Sequence, residues 1–262
     1  MNIHPTAIVD SGAELGADVE IKPFTIVEAG VVIGDGCSVG PQAVIRTGTI
    51  IGSNTHVHTG AVLGEPPQDA KYQGEPTQLV IGSGNSIREF VTMHRATGDG
   101  GQTVIGEGNM LMAYSHVGHN CQIGDHTLIA NSVALGGHVV LEDYANIGGM
   151  TGVHQFVTVG TMSMVGGMSR VTRDVPPFTT VVGNPTEVRG INWRGLMRRG
   201  VADEDRAELK KAFRVLYRSE HNISDAIEII KRDLRSTPQI EYLAAFLKRI
   251  DEGYAGRQNN PH

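Results

Sequence analysis

Cysteine, tryptophan and long apolar runs are what this chain has least of. Cys37 and Cys121 are its two cysteines, far apart and outside any CxxC pair. That spacing argues against a disulfide framework or a zinc ribbon and for a reducing compartment. No stretch approaches the ~18 consecutive apolar residues of a membrane span. Aromatic residues make up 5%, and 22 Lys and Arg face 28 Asp and Glu, for a net charge of −6. A nucleic-acid binder is usually more basic and carries aromatics within its basic patch, so no nucleic-acid partner is expected. The start, Met1-Asn2-Ile3-His4-Pro5, lacks the blocks of a signal peptide, and the chain reads as cytoplasmic.

Glycine runs the other way, with 34 of 262 residues, about 13% against a typical ~7%. A repeat explains the excess. From Ile3 to Val171 every sixth residue is aliphatic at all but three of 29 positions; the exceptions are Asp69, Glu75 and Asp99. Neither an amphipathic helix nor a single strand has a period of six. A hexad repeat predicts a parallel β-helix, each hexad giving one short strand and a turn with the aliphatic residue in the bore. Gly often follows that residue, as at Gly34, Gly118, Gly136 and Gly148, and is expected there for the special dihedrals of a tight turn.

The three exceptions mark two departures from the coil, at 64–80 and 94–104. Such excursions are where chemistry is usually built. The predicted organisation is an all-β main domain over 1–190 and a small helical domain over 191–262. Residues 178–192 are expected to form an irregular exit. Beyond them Asp203, Ser224 and Thr237-Pro238 are candidate starts of three helices that close the end of the solenoid. Charge divides along the same line. Residues 1–190 hold 8 Lys and Arg against 17 Asp and Glu, and residues 191–262 hold 14 against 11. A positive tail suits an acidic protein or a phosphate-bearing ligand.

Taking three hexads per coil as an assumption, residues 18 apart stack. His119 then lies over Gly137 and Asn120 over His138, while His154 less 36 falls between His116 and His119. Four histidines and an asparagine share one edge of the prism across coils ~4.8 Å apart. Clustered imidazoles serve acid–base chemistry or metal binding. Three could hold zinc, but the strip is expected to line a groove without a metal or other cofactor.

At these residues the chain resembles the bacterial UDP-N-acetylglucosamine acyltransferases of lipid A biosynthesis. The matching stretches are GEPPQDAKYQGEPT (64–77), IREFVTMHRAT (87–97), HVGHNCQIG (116–124), ANIGGMTGVHQF (145–156) and GLMRRG (195–200). The resemblance implies a left-handed β-helix, a homotrimer with clefts between subunits, and transfer of a 3-hydroxyacyl chain. The donor would be acyl carrier protein and the acceptor the 3-hydroxyl of UDP-N-acetylglucosamine. By the same resemblance His119 is the general base, with Asn120 beside it, and the Gly137 N–H holds the oxyanion. Gln68, Asp69, Lys71, His94, His116, His138 and His154 contact the sugar and the acyl region. Gln155, Asn192, Arg198 and Arg199 bind the nucleotide, and Gly167 ends the acyl groove. The chain departs from the family where Asn120 replaces Asp, Arg194 replaces Glu and Pro185 replaces His.

The same residues bear on three other functions. A hexapeptide N-acyltransferase acting on an amino-sugar nucleotide shares the His-Asn pair but would carry a large domain before the repeat. A coenzyme A acetyltransferase would need neither the QD-x-KY stretch nor the helical tail. An ice-binding solenoid would show rows of Thr-x-Thr, and here the threonines are scattered.

Overall fold

In the computed structural model, which describes residues 1–252, each hexad forms a two-residue strand and a turn, as in Ile8–Val9, Glu14–Leu15 and Glu20–Ile21. Three hexads close one coil. Asn2 pairs with Glu20, Ile8 with Ile26 and Glu14 with Val32, in parallel and 18 residues apart. Among the described residues this stacking builds sheets of 11, 9 and 8 strands. They form the three faces of a left-handed parallel β-helix of hexapeptide repeats. The last ten residues of the expected helical domain, 253–262, lie outside the described residues.

The aliphatic register fills the bore. Ile33, Ile45, Leu63, Ile87, Leu111, Ile129 and Ile147 are buried, each contributing roughly 1.5–3 kcal/mol of apolar transfer. A second inward position, two residues earlier, was not foreseen. It carries small side chains, among them Val31, Ala43, Thr25, Thr151, Cys37 and Cys121. Their polar atoms bond carbonyls near the next corner. Thr25 Oγ1 donates to Gly40 O at 2.8 Å, Cys37 Sγ to Gly52 O at 3.1 Å and Cys121 Sγ to Gly136 O at 3.2 Å. The two thiols are thus core packing.

Gly64, after Leu63, has the expected positive φ of 84°, but other hexad glycines serve a different purpose. Gly34, Gly118, Gly136 and Gly148 are outside the positive-φ region. Their constraint is contact between coils: a Cβ on Gly148 would lie 2.4 Å from Gly167 N, and one on Gly136 2.8 Å from Gln155 N. Positive φ falls two residues later, at corners such as Asn120 (59°), His138 (60°) and Phe156 (65°).

The chain leaves the coil between Glu65 and Gln78 and again between His94 and Gln102. Pairing resumes across both gaps, Val62 with Thr92 and Thr92 with His116. The two ends of the prism differ. Ile3 and Ile8 on the first coil are 40% and 66% exposed. At the other end the expected irregular exit is a hairpin, Thr179–Val182 against Glu187–Ile191. Among the described residues four helices follow: α1 (Trp193–Arg198), α2 (Asp203–Tyr217), α3 (Ile223–Asp233) and α4 (Pro238–Asp251). Thr237 caps α4 as read from Thr-Pro. Asn222, not Ser224, caps α3, and Asp203 is the first residue of α2 rather than its cap. The single-turn scale of α1 left no periodicity to read. Tyr242 Oη and Arg249 on α4 donate to Glu142 at 2.8 and 3.4 Å, tying the helices to the prism.

Candidate active site

The second excursion and the corner after His116–Val117 define the centre of the site. Asn120 occupies a corner with φ of 59°, a conformation that asparagine tolerates better than most non-glycine residues. Its Oδ1 accepts from Thr97 N–H at 2.9 Å and Thr97 Oγ1 at 3.0 Å, and its Nδ2 donates to Thr97 O at 3.1 Å. One residue's backbone donor and acceptor therefore fix which way the amide faces. His119 Nδ1 lies 2.9 Å from the same Oδ1. That oxygen can only accept, so Nδ1 carries the hydrogen and Nε2 keeps its lone pair.

Nε2 faces the coil below. A Cβ built on Gly137 would lie 2.5 Å from it, so the imidazole rests directly on the Gly137 backbone. The turn N–H at this position is often taken by a carboxylate 18 residues on: Asp35 for Ala17, Asp125 for Glu107 and Asp143 for Asp125. Residue 155 is Gln instead, and among the described residues no acceptor bonds the Gly137 N–H. An imidazole nitrogen with a free lone pair and an unused N–H donor stand side by side.

Around this pair burial disfavours the charged form of three histidines. His116, bonded to Thr92 Oγ1 at 2.8 Å, is pushed down to about 4 by burial, then by neighbouring His94 and His119. His94, whose Nδ1 is 2.8 Å from Pro66 O, and His138 are also lowered, in both cases chiefly by burial. His138 packs edge-on against His119, ring centres 5.3 Å apart, and stacks on Phe156 at 4.5 Å. From the first excursion Asp69 Oδ2 comes within 3.9 Å of His119 Nε2, and the Lys71 charge further disfavours a proton on His138. Glu75 joins the excursions by accepting from Gly98 N–H at 2.9 Å.

These groups border a cavity of about 510 Å³ lined by Gln68, His94, His116, His119, Gly137, His154 and Gln155 among others. Thus the structure gathers most of the residues singled out from the sequence. It does not bring Asn192, Arg198 or Arg199 to this cavity. Asn192 caps α1 through Gly195 N–H and donates to Met162 O at 2.8 Å. The Arg199 guanidinium lies 4.2 Å over the Tyr144 ring, and Arg198 sits in the last turn of α1. Gly167 is two corners away, where a Cβ would lie 3.1 Å from Gly149 O. The sequence reading missed Thr97, which orients Asn120, and Arg170 and Thr172, which line the cavity. Arg170 was open to the same arithmetic: His116, Ala134, Gly152 and Arg170 pair in succession across one face. Thr97 had no such signal, because excursions break the count. Among the described residues no group of three or more His, Cys, Asp or Glu is arranged to hold a metal ion.

Comparison with known proteins follows the same outline. The family profile described as UDP N-acetylglucosamine O-acyltransferase, domain 2, matches residues 174–255. The bacterial transferase hexapeptide profile matches 12–47, 30–65 and 102–137. The chain is 47% identical to the acyl-(acyl-carrier-protein)-UDP-N-acetylglucosamine O-acyltransferase of Halorhodospira halophila, over 96% of this chain and 98% of that one. It is 54% identical to the protein of that name from Rippkaea orientalis, over 75% of this chain and 71% of the other. A solved UDP-N-acetylglucosamine acyltransferase from Bacteroides fragilis superposes with a TM-score of 0.93 at 37% identity, covering 94% and 96% of the two chains.

Proposed function

The chain belongs to the acyl-carrier-protein-dependent UDP-N-acetylglucosamine O-acyltransferases, and from that premise we propose how its residues divide the reaction. The enzyme moves an acyl chain from acyl carrier protein to UDP-N-acetylglucosamine. His119 Nε2 takes the proton of the sugar 3-hydroxyl as that oxygen attacks the thioester carbon. The carbonyl oxygen becomes an anion and accepts the Gly137 N–H. Collapse breaks the carbon–sulfur bond, and the imidazolium returns its proton to the leaving thiolate. The new ester and the free thiol of the carrier balance the step.

One observation carries this assignment: His119 Nδ1 is locked by Asn120 while Nε2 lies over Gly137. An asparagine holds the tautomer but supplies no charge to the imidazolium. The Asp69 carboxylate, 3.9 Å from Nε2, is placed to offset that charge. Gln68, Asp69 and Lys71, with His94, His116, His138 and His154, provide the polar wall for the sugar and the 3-hydroxyacyl head. Gln155 begins the nucleotide end. Arg198 and Arg199, away from their own chain's cavity, fit a homotrimer in which a neighbouring subunit completes the phosphate site, together with Asn192. Gly167 marks the end of the acyl groove. A cytoplasmic setting suits Cys37 and Cys121, both free thiols.

The test supplies carrier protein loaded with 3-hydroxyacyl chains of several lengths, together with UDP-N-acetylglucosamine or its 3-amino analogue. Ester formation on the plain sugar is expected. Amide formation on the amino sugar with no ester would replace this reading by the N-acyltransferase one. Light scattering that returns a monomer would remove the shared site.

A further inference from the structure

We propose that Arg170 is a phosphate-binding residue of the substrate cavity. The inference rests on the acyltransferase reading and extends it to a side chain with no part in the chemistry above.

Among the residues lining the cavity Arg170 is the only Lys, Arg, Asp or Glu. Burial disfavours the charged form of His94 and His116, which line the same cavity. Asp69 stands at the other end, 3.9 Å from His119 Nε2, so the permanent charge on the wall around residue 170 is positive. Among the described residues no carboxylate pairs with it. An exposed arginine at a cavity wall with no ion-pair partner is a guanidinium fork kept available for an anion.

Its position fits the substrates. Arg170 ends the row that begins at His116 and crosses Ala134 and Gly152. Three strand spacings separate the two ends, about 14 Å. The row between them is smooth: Ala134 has a single methyl, and a Cβ added at Gly152 would meet nothing within 4 Å. A ligand can lie along this floor with its reacting end beside His119 and an anionic group within reach of Arg170. Gln155 and Thr172 border the same end with neutral donors. Both substrates carry the required chemistry. The sugar nucleotide has a diphosphate, and the carrier protein presents its thioester on a phosphodiester-linked pantetheine arm.

The experiment measures steady-state kinetics of Arg170→Gln and Arg170→Lys in the full-length protein, varying each substrate in turn. Removing a charge-assisted bond to phosphate is expected to raise one KM about ten- to hundredfold, with kcat within about threefold. Arg170→Lys should recover part of the loss. A raised KM for UDP-N-acetylglucosamine identifies the diphosphate, and a raised KM for the acylated carrier identifies the phosphodiester. Melting temperature and oligomeric state are read on both variants. Wild-type turnover tests the acyltransferase reading separately. If the wild type turns over and both KM values stay within twofold in Arg170→Gln, the proposal is overturned. A loss of kcat alone, or a loss that follows dissociation or unfolding in both variants, overturns it as well.

Discussion

Replacing Gly137 with alanine tests the centre of the site with one methyl group. The added Cβ would lie 2.5 Å from His119 Nε2 and 2.6 Å from Cε1, about 1 Å inside an ordinary contact. The backbone at residue 137 need not strain, because its φ is outside the left-handed region. The imidazole must therefore move. It is the free end of a side chain 16% exposed, so displacement is cheap for the fold. It is costly for catalysis, since the ring leaves the 2.9 Å bond to Asn120 and the lone pair loses its aim. The expected loss in kcat is roughly 10²–10⁴-fold, the usual contribution of a general base. Gly136→Ala is the contrasting variant. Its Cβ would meet Gln155 N at 2.8 Å, and that backbone cannot step aside, so about 1–3 kcal/mol of stability should be lost. Thiol release from acylated carrier, followed alongside thermal melts, separates the two effects. If Gly137→Ala keeps more than half of the wild-type kcat, His119 does not work against the Gly137 backbone.

His119→Ala should lower kcat by roughly 10²–10⁴-fold while the melting temperature barely moves; retention of half the rate would pass the base role to His138. Asn120→Asp sets a carboxylate oxygen against Thr97 O, where Nδ2 now donates at 3.1 Å. The acidic limb of the pH–rate profile should rise by about a unit or more, because a carboxylate favours the imidazolium, and an unshifted limb would separate residue 120 from the base. Gly167→Met should shift preference toward shorter acyl chains, after its Cβ displaces Gly149 O by a few tenths of an ångström from 3.1 Å; lost stability with unchanged preference would reduce Gly167 to a packing role. Stability should also fall as pH drops from about 6.5 toward 4. His116 in the fold takes up its proton only near 4, whereas the unfolded chain binds it near 6.5, so acid favours unfolding. From pH 8 to pH 5 this amounts to about 2 kcal/mol, and melts of His116→Gln should show a correspondingly flatter pH dependence.

The bore was legible because each coil repeats the same physical demand at fixed intervals. An aliphatic residue every six and a stacking distance of 18 suffice to put His119 over Gly137 and Asn120 over His138. The inward position two residues earlier escaped notice because it mixes Val, Ala, Thr, Ser and Cys, so hydrophobicity shows no period there. Glycine has two reasons that its frequency does not separate: positive φ at corners such as Gly30, Gly36 and Gly108, and the 2.4–2.8 Å approach of the next backbone at Gly148 and Gly136. The excursions were visible as gaps but not as structures. That Thr97 reaches Asn120, or Asp69 reaches His119, depends on how a loop folds back, which no count along the chain encodes.

The unequal ends of the prism give the molecule a direction. In a solenoid each coil leans only on its neighbours, so opening spreads from whichever end is weaker. Here that is the first coil, with Ile3 and Ile8 facing solvent, while the far end is shut by the hairpin and by Glu142's bonds to α4. Every cavity residue lies at or beyond Gln68. Hydrogen exchange should therefore form a gradient that decays toward the coils of the cavity, letting the protein breathe at one end without loosening the ångström-scale alignment of His119 on Gly137.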